Sequence, residues 1–254
     1  MRTTNRIVAL LAVVLALVTA AASQARPAAR ITVLAASSLT NVLPQIDAAP
    51  KYSFGGSDTL AGQIRLGAPA DVFAAANSSI PDKLYSQGLV EKPVVFTTNK
   101  LVLVTPRSNP AGIRSVFDLR KPGIKLIVGL PTVPVGSYTR TILKNLALTS
   151  VLSNVVSQET DVRSILGKVA LGEADAGFVY ITDAKTVADK ANVIRLPPWA
   201  QPPIRYEIAI LKSSANRADA VAFINKVLAK AGQAKLKAAG FGAVKKGATT
   251  YAGG

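Results

Sequence analysis

The sequence predicts an α/β protein of two lobes, each a mixed sheet flanked by helices, with a ligand cleft between them. Three observations carry that expectation. Short β-branched runs alternate with apolar residues at helical spacing from Ile31 onward, which is the pattern of largely parallel sheets covered by helices. Two such units follow one another, one opening near Ile31 and one near Leu126, joined by two extended crossings. The chain has 254 residues, 49% of them hydrophobic, ample for two apolar cores.

The elements follow in order. Residues 31–35 (ITVLA) read as a strand that leaves through Ala36, Ser37 and Ser38 into a short helix over residues 39–46. Residues 52–54 form a second strand, and Gly55-Gly56-Ser57 opens a helix with Leu60, Ile64 and Leu66 on one face. Residues 70–75 lack alternation, as a strand buried on both faces does. Two runs at 94–97 and 101–105 precede the loop-forming stretch 106–110, PRSNP. The second unit has a strand at 126–128, helices at 137–148 and 161–171, and strands at 176–180 and 193–196. After Pro202-Pro203 come an alternating strand over 206–211 and one long helix over about 217–237, capped by Asn216 and ended by Gly240. On this reading lobe 1 is residues 31–105 plus 205–254, and lobe 2 is residues 106–204.

The N-terminus reads differently. Arg2 and Arg6 precede an uncharged apolar run over residues 7–18, and small residues follow at 20–25. This is the pattern of a secretory signal peptide, residues 1–25, cut after Ala22 or Ala25. An uncleaved anchor is the alternative, since residues 7–25 are just long enough for a tilted span. Either way the protein is expected outside the cytoplasmic membrane, in the periplasm or its equivalent.

Composition excludes several chemistries. There is no cysteine and no histidine, so no Ser-His or Cys-His nucleophile, no thiolate and no imidazole metal ligand. No pair of acids stands at a catalytic spacing, and no cofactor is implied. The chain carries 30 basic and 14 acidic residues. The basic ones are scattered, and the densest group, Lys226, Lys230, Lys235 and Lys237, lies on a predicted helix, where a solvated face accounts for it. Nucleic acid is therefore not an expected partner. A positive field does favour a small anion.

In open α/β sheets ligands sit at the carboxyl ends of strands, where helix N-termini point. Ser38, Ser57, the Val133-Pro134-Val135-Gly136 turn, the Asp161-Val162-Arg163 turn and the strand-ending Tyr180 occupy those places. Singly, each has an ordinary reading: a helix cap for a serine, a tight turn for Pro-Val-Gly, a first helical turn for Val162, a rim aromatic for Tyr180.

Together the segments ITVLAASSLTNVL, FGGSDTLAGQIRLGAPADVF, VGLPTVPVGSY, ETDVRSILGKVALGEADAGFVY and LKAAGFG resemble the periplasmic molybdate-binding proteins of ABC transporters, which have the type II solute-binding fold. The resemblance runs from about Ile31 to Val244. It implies a monomer that captures molybdate or tungstate and delivers it to a membrane ABC permease. It also implies that Ser38 and Ser57 of one lobe hold the oxyanion against the amides of Val135 and Val162 and the hydroxyl of Tyr180 of the other, with no metal ion bound by side chains. Ser37 competes with Ser38 for the first contact. Sulfate or another small oxyanion is the alternative ligand, and an exported enzyme without His or Cys the more distant reading. Two departures lie beside the site. The segment between Ser38 and Ser57 is shortened, so that the first helix should end at Pro44 or just after Ile46. Gly55 and Gly56 stand where serine is common, which should make that loop pliable.

Overall fold

The computed structural model describes residues 30–244 and 250–251. The expected signal peptide lies outside the described residues. Two five-stranded sheets form the framework.

The first sheet has the order β2-β1-β3-β10-β4. Its strands are β1 (Thr32–Ala36), β2 (Lys51–Gly55), β3 (Val72–Ala75), β4 (Val94–Asn99) and β10 (Ile204–Ile210). The second has the order β7-β6-β8-β5-β9, built from β5 (Leu101–Pro106), β6 (Leu126–Gly129), β7 (Val155–Glu159), β8 (Ala176–Tyr180) and β9 (Ala191–Arg195). The two share one plan. Three parallel strands come first, and an antiparallel strand that has just crossed from the other lobe pairs beside them.

That plan corrects one expected boundary. Residues 101–105 were assigned to lobe 1, but β5 pairs with β8 and β9 in the second sheet. The crossing falls at Lys100, because Leu101 to Val104 are buried in register against Tyr180 to Gly177. The two crossings are tied together by Gln201, whose Oε1 accepts from Leu101 N (3.1 Å) and whose Nε2 donates to Leu101 O (2.7 Å).

The helices are α1 (Leu43–Ile46), α2 (Ser57–Arg65), α3 (Ser79–Ser86), α4 (Pro134–Asn145), α5 (Val162–Ala170), α6 (Ile181–Ala184), α7 (Arg217–Leu228) and α8 (Lys230–Ala239). The expected first helix over residues 39–46 is instead a 3-10 turn (Ser37–Leu39) followed by the single turn of α1. Pro44 lies at the start of α1 rather than its end, where its missing N–H costs nothing, and the helix does stop at Ile46. The expected long C-terminal helix is two helices, broken where Ala229 turns extended. Gly232 explains the packing there, since a Cβ would overlap the Lys226 carbonyl oxygen at the end of α7. Asn216 precedes α7 but does not cap it through its side chain; its Nδ2 donates to Asp71 Oδ1 (3.2 Å). Lys226 and Lys235 of the basic group hold α1 in place, through Asp47 and the Gln45 carbonyl.

A relation between the lobes that the residues alone do not reveal becomes visible here. Helices α2 and α5 each have nine residues, and glycines with positive φ, Gly67 and Gly172, follow them. A carboxylate then precedes the next strand. Asp71 Oδ2 accepts from Thr32 N (2.7 Å), and Asp175 Oδ2 accepts from Lys125 N (2.8 Å). Leu60 and Ile64 of α2, and Ile165 and Val169 of α5, are buried under their sheets, each such side chain contributing about 1.5–3 kcal/mol. The two helices therefore present equivalent N-termini, one from each lobe.

Candidate functional site

The five expected residues meet. Ser38, Ser57, Val135, Val162 and Tyr180 all line one small cavity between the lobes, together with Ser37. Each stands at or just beyond the carboxyl end of a strand. Ser38 follows β1 and Ser57 follows β2, while Val135 follows β6, Val162 follows β7 and Tyr180 ends β8.

The serines are not helix caps. No side-chain capping bond occurs at the turn holding Ser38 or at α2. Ser57 Oγ instead accepts from Ala76 N (3.1 Å), and Ser38 Oγ lies 2.9 Å from Tyr206 Oη. Val135 and Val162 sit in the first turns of α4 and α5, whose N–H groups have no intrahelical acceptor. Asp161 also lines the cavity, but its Oδ1 accepts from Arg163 N (2.7 Å) and Ser164 N (3.1 Å) and its Oδ2 from Ser164 Oγ (2.9 Å). The N-cap consumes that carboxylate and leaves the Val162 amide to the cavity. Among the described residues no Lys or Arg lines it.

Tyr180 is 1% exposed, and its Oη has no hydrogen-bond partner among the described residues. Burial raises its pKa well above the ordinary tyrosine value, so the group stays a neutral donor. A buried hydroxyl left unpaired costs about 1–3 kcal/mol, and this one lies on the cavity wall with its hydrogen free to donate.

The lobes touch around the cavity. Thr132 Oγ1 donates to Asp58 Oδ2 (2.8 Å) across the gap. Gly56 packs so closely that a Cβ would overlap the Thr160 carbonyl oxygen. Its φ of −62° and ψ of 136° are open to any residue, so close approach, and not pliability of the loop, requires glycine. At α4, a Cβ on Gly136 would likewise overlap the Leu130 carbonyl. Arg140 braces that turn by donating to the carbonyls of Gly129 (2.9 Å) and Gly136 (3.0 Å).

Behind Tyr180 lies a buried acid. Asp183 on α6 is fully buried, 2.7 Å from Arg163 Nε. Burial pushes its pKa up to about 7, although Arg163 pulls the other way. The contact with Arg163 is short but falls outside hydrogen-bond geometry. With its folded pKa above the unfolded value near 4, Asp183 binds a proton in the folded state that the unfolded chain has released. Stability is therefore expected to fall as pH rises from about 4 through about 7, then to level off. Melting temperatures across that window should show the slope, and Asp183→Asn should flatten it; an equal slope in the variant would refute the assignment.

The sequence reading missed Asn99, Tyr206, Asp58 and Thr132. Tyr206 was legible only as an inward position of an alternating strand. The other three carry no local signal, because the side-chain partners that bring them to the site stand 74 to 107 residues away.

Among the described residues no helix is long and apolar enough to cross a membrane. Residues 31–242 match the family described as bacterial extracellular solute-binding proteins. The molybdate-binding protein ModA of Mycobacterium tuberculosis is 40% identical over 221 residues, covering 83% of this chain and 84% of that protein. The periplasmic molybdate-binding protein of Azotobacter vinelandii superposes with a TM-score of 0.75 at 26% identity, over 85% of this chain and all of that one. The sulfate-binding protein SubI of Mycobacterium tuberculosis superposes with a TM-score of 0.70 at 19% identity, over 85% and 87%, which shows a shared fold. With the two-lobe fold and a cavity between the lobes already in place, these likenesses make the chain a member of the bacterial extracellular solute-binding protein family, of the ModA type.

Proposed function

We propose that the protein captures molybdate or tungstate outside the cytoplasmic membrane and delivers it to an ABC permease, with Ser38, Ser57, the amides of Val135 and Val162, and Tyr180 as the oxyanion's hydrogen-bond donors. The observation that carries this reading is the Tyr180 hydroxyl, buried without a partner among the described residues in a cavity bordered by three serines and two helix N-termini.

The chemistry fits a fully deprotonated tetrahedral dianion. Molybdate has only acceptors, and each donor of the site supplies a proton it can accept. First-turn amides add the helix dipole, worth about 0.3–1 kcal/mol per terminus at the surface and up to ~2 kcal/mol when partly buried. No counter-charge is needed. Hydrogenphosphate must place its own proton against some acceptor, and a pocket of donors leaves that proton unpaired. Sulfate has the charge and shape but shorter bonds, so cavity size must exclude it. Donors drawn from both lobes make the closed form the one that satisfies the ligand. The protein is read as a carrier, with no bond made or broken in the ligand.

Calorimetric titration with molybdate, tungstate, sulfate and phosphate in separate runs tests the reading. One-to-one binding of the first two, with no heat from the others, is the expected result. Binding of sulfate alone would replace the ligand, and no binding of any oxyanion would remove the site assignment.

A further inference from the structure

We propose that Asn99 and Tyr206 are positioning residues that fix the direction of hydrogen bonding at the ligand site, so that Ser38 meets the ligand as a donor. The proposal rests on the oxyanion reading above and adds the residues that set its selectivity against protonated anions.

The chain of bonds starts at the crossing between the lobes. Lys100 N donates to Asn99 Oδ1 (2.9 Å). A backbone N–H has no other role to play, so this bond fixes which end of the amide faces inward. Asn99 Nδ2 then spends one hydrogen on Thr182 Oγ1 (3.0 Å), in the second lobe, and the other on Tyr206 Oη (3.2 Å), in the first. Tyr206 Oη is thereby an acceptor from Asn99. Its single hydrogen needs a different partner, and Ser38 Oγ at 2.9 Å is the acceptor that the geometry supplies. Burial holds Tyr206 protonated, so the phenol keeps that hydrogen.

With its inward lone pair filled by Tyr206, Ser38 has its own hydrogen left for the cavity. Ser57 obeys the same rule by a different route, because the Ala76 N–H fills its inward lone pair. Two serines from different strand ends are each supplied with a hydrogen from inside the protein. The site is thus polarised from behind, and the direction is written by two backbone N–H groups, those of Lys100 and Ala76. Tyr206 is held for this task by edge-on contacts with Phe96, Tyr180 and Phe241.

Asn99→Asp tests the direction because it keeps the shape and replaces the inward donor by an acceptor. Tyr206 then donates to the new carboxylate, Ser38 donates to Tyr206, and a Ser38 lone pair faces the cavity. The readout is competition against bound molybdate by sulfate and by hydrogenphosphate, each at large excess so that binding too weak to give heat in direct titration still registers, in mildly alkaline buffer. These two competitors are close in size and equal in charge there, so repulsion by the carboxylate cancels in their ratio, and the buffer keeps the buried acid ionised. In the unsubstituted protein sulfate should compete better than hydrogenphosphate. In Asn99→Asp that preference should shrink by ~10-fold or invert, the scale of one buried polar group gaining or losing its partner. Tyr206→Phe, which breaks the chain without adding charge, should narrow the same preference and weaken molybdate binding several-fold; it also stands in if Asn99→Asp does not fold. An unchanged sulfate-to-hydrogenphosphate ratio in a folded variant that still binds molybdate would overturn the proposal and leave the oxyanion reading intact. Failure of the unsubstituted protein to bind any oxyanion would overturn both.

Discussion

Tyr180→Phe is expected to weaken molybdate binding by about 1.5–3 kcal/mol, the worth of a hydrogen bond to a charged group, while the ligand-free protein melts at the same temperature or higher. Both effects come from one atom. The ring of Tyr180 is fully buried and packs edge-on against Tyr206, and Phe keeps all of that contact. What is lost is a hydroxyl with no hydrogen-bond partner among the described residues, so its removal breaks no bond that holds the fold and deletes a donor from the ligand site. Calorimetry and thermal melting on the same preparation check the two signs together. A variant that binds as tightly as the parent would take Tyr180 out of the site; one that is less stable when empty would mean the hydroxyl has a partner after all.

Gly56→Ala is expected to act on closure alone. The backbone angles at Gly56 suit alanine, and removing a glycine lowers the entropy of the unfolded chain, worth about 0.4–1 kcal/mol in favour of folding. The open protein should therefore be as stable as the parent. In the closed form the new methyl overlaps the Thr160 carbonyl, a backbone atom on the opposite lobe that cannot rotate aside. Overpacking of this kind costs about 1–3 kcal/mol, which appears as a roughly 5- to 150-fold loss of affinity. Melting with and without molybdate separates the effects: the ligand-free transition should hold while the ligand-induced rise shrinks. An undiminished rise would show that the two lobes bind the oxyanion without the approach of Gly56 to Thr160.

How far the sequence carries can be argued from these same residues. The parallel strands were legible because ITVLA, ADVFAA and AGFVY are apolar runs bounded by turn residues, and burial on both faces demands that pattern. That the candidate donors stand together was legible because strand ends that feed helix N-termini are where such folds bind, and the family resemblance singled out which residues to name. Other features escaped. Helix α3 contains Pro81, which reads as a breaker yet sits in the first turn, where proline is tolerated. Strand β7 is an edge strand that reads VVSQE, with only two apolar residues, so its apolar signal is weak. The break between α7 and α8 has neither Pro nor Gly at Ala229; it is imposed by packing. The sheet to which β5 belongs, and the bonds of Asn99 and Tyr206 with Ser38, are long-range facts. No local pattern in Asn99 or in Tyr206 states that they meet.

The exchange of strands between the sheets also sets an order of assembly. Every strand of the second sheet lies between Leu101 and Arg195, whereas the first sheet needs β10, Ile204–Ile210, at an interior position between β3 and β4. A chain emerging N-terminus first can therefore complete the second sheet while the first still has unpaired edges on β3 and β4. Such edges are templates for pairing with other chains. The last segment to arrive closes that exposure and, through Tyr206, brings the residue that turns Ser38 toward its ligand. Maturation of the hazardous half and maturation of the binding site are thus one event, and a nascent chain ended before Ile204 would have neither.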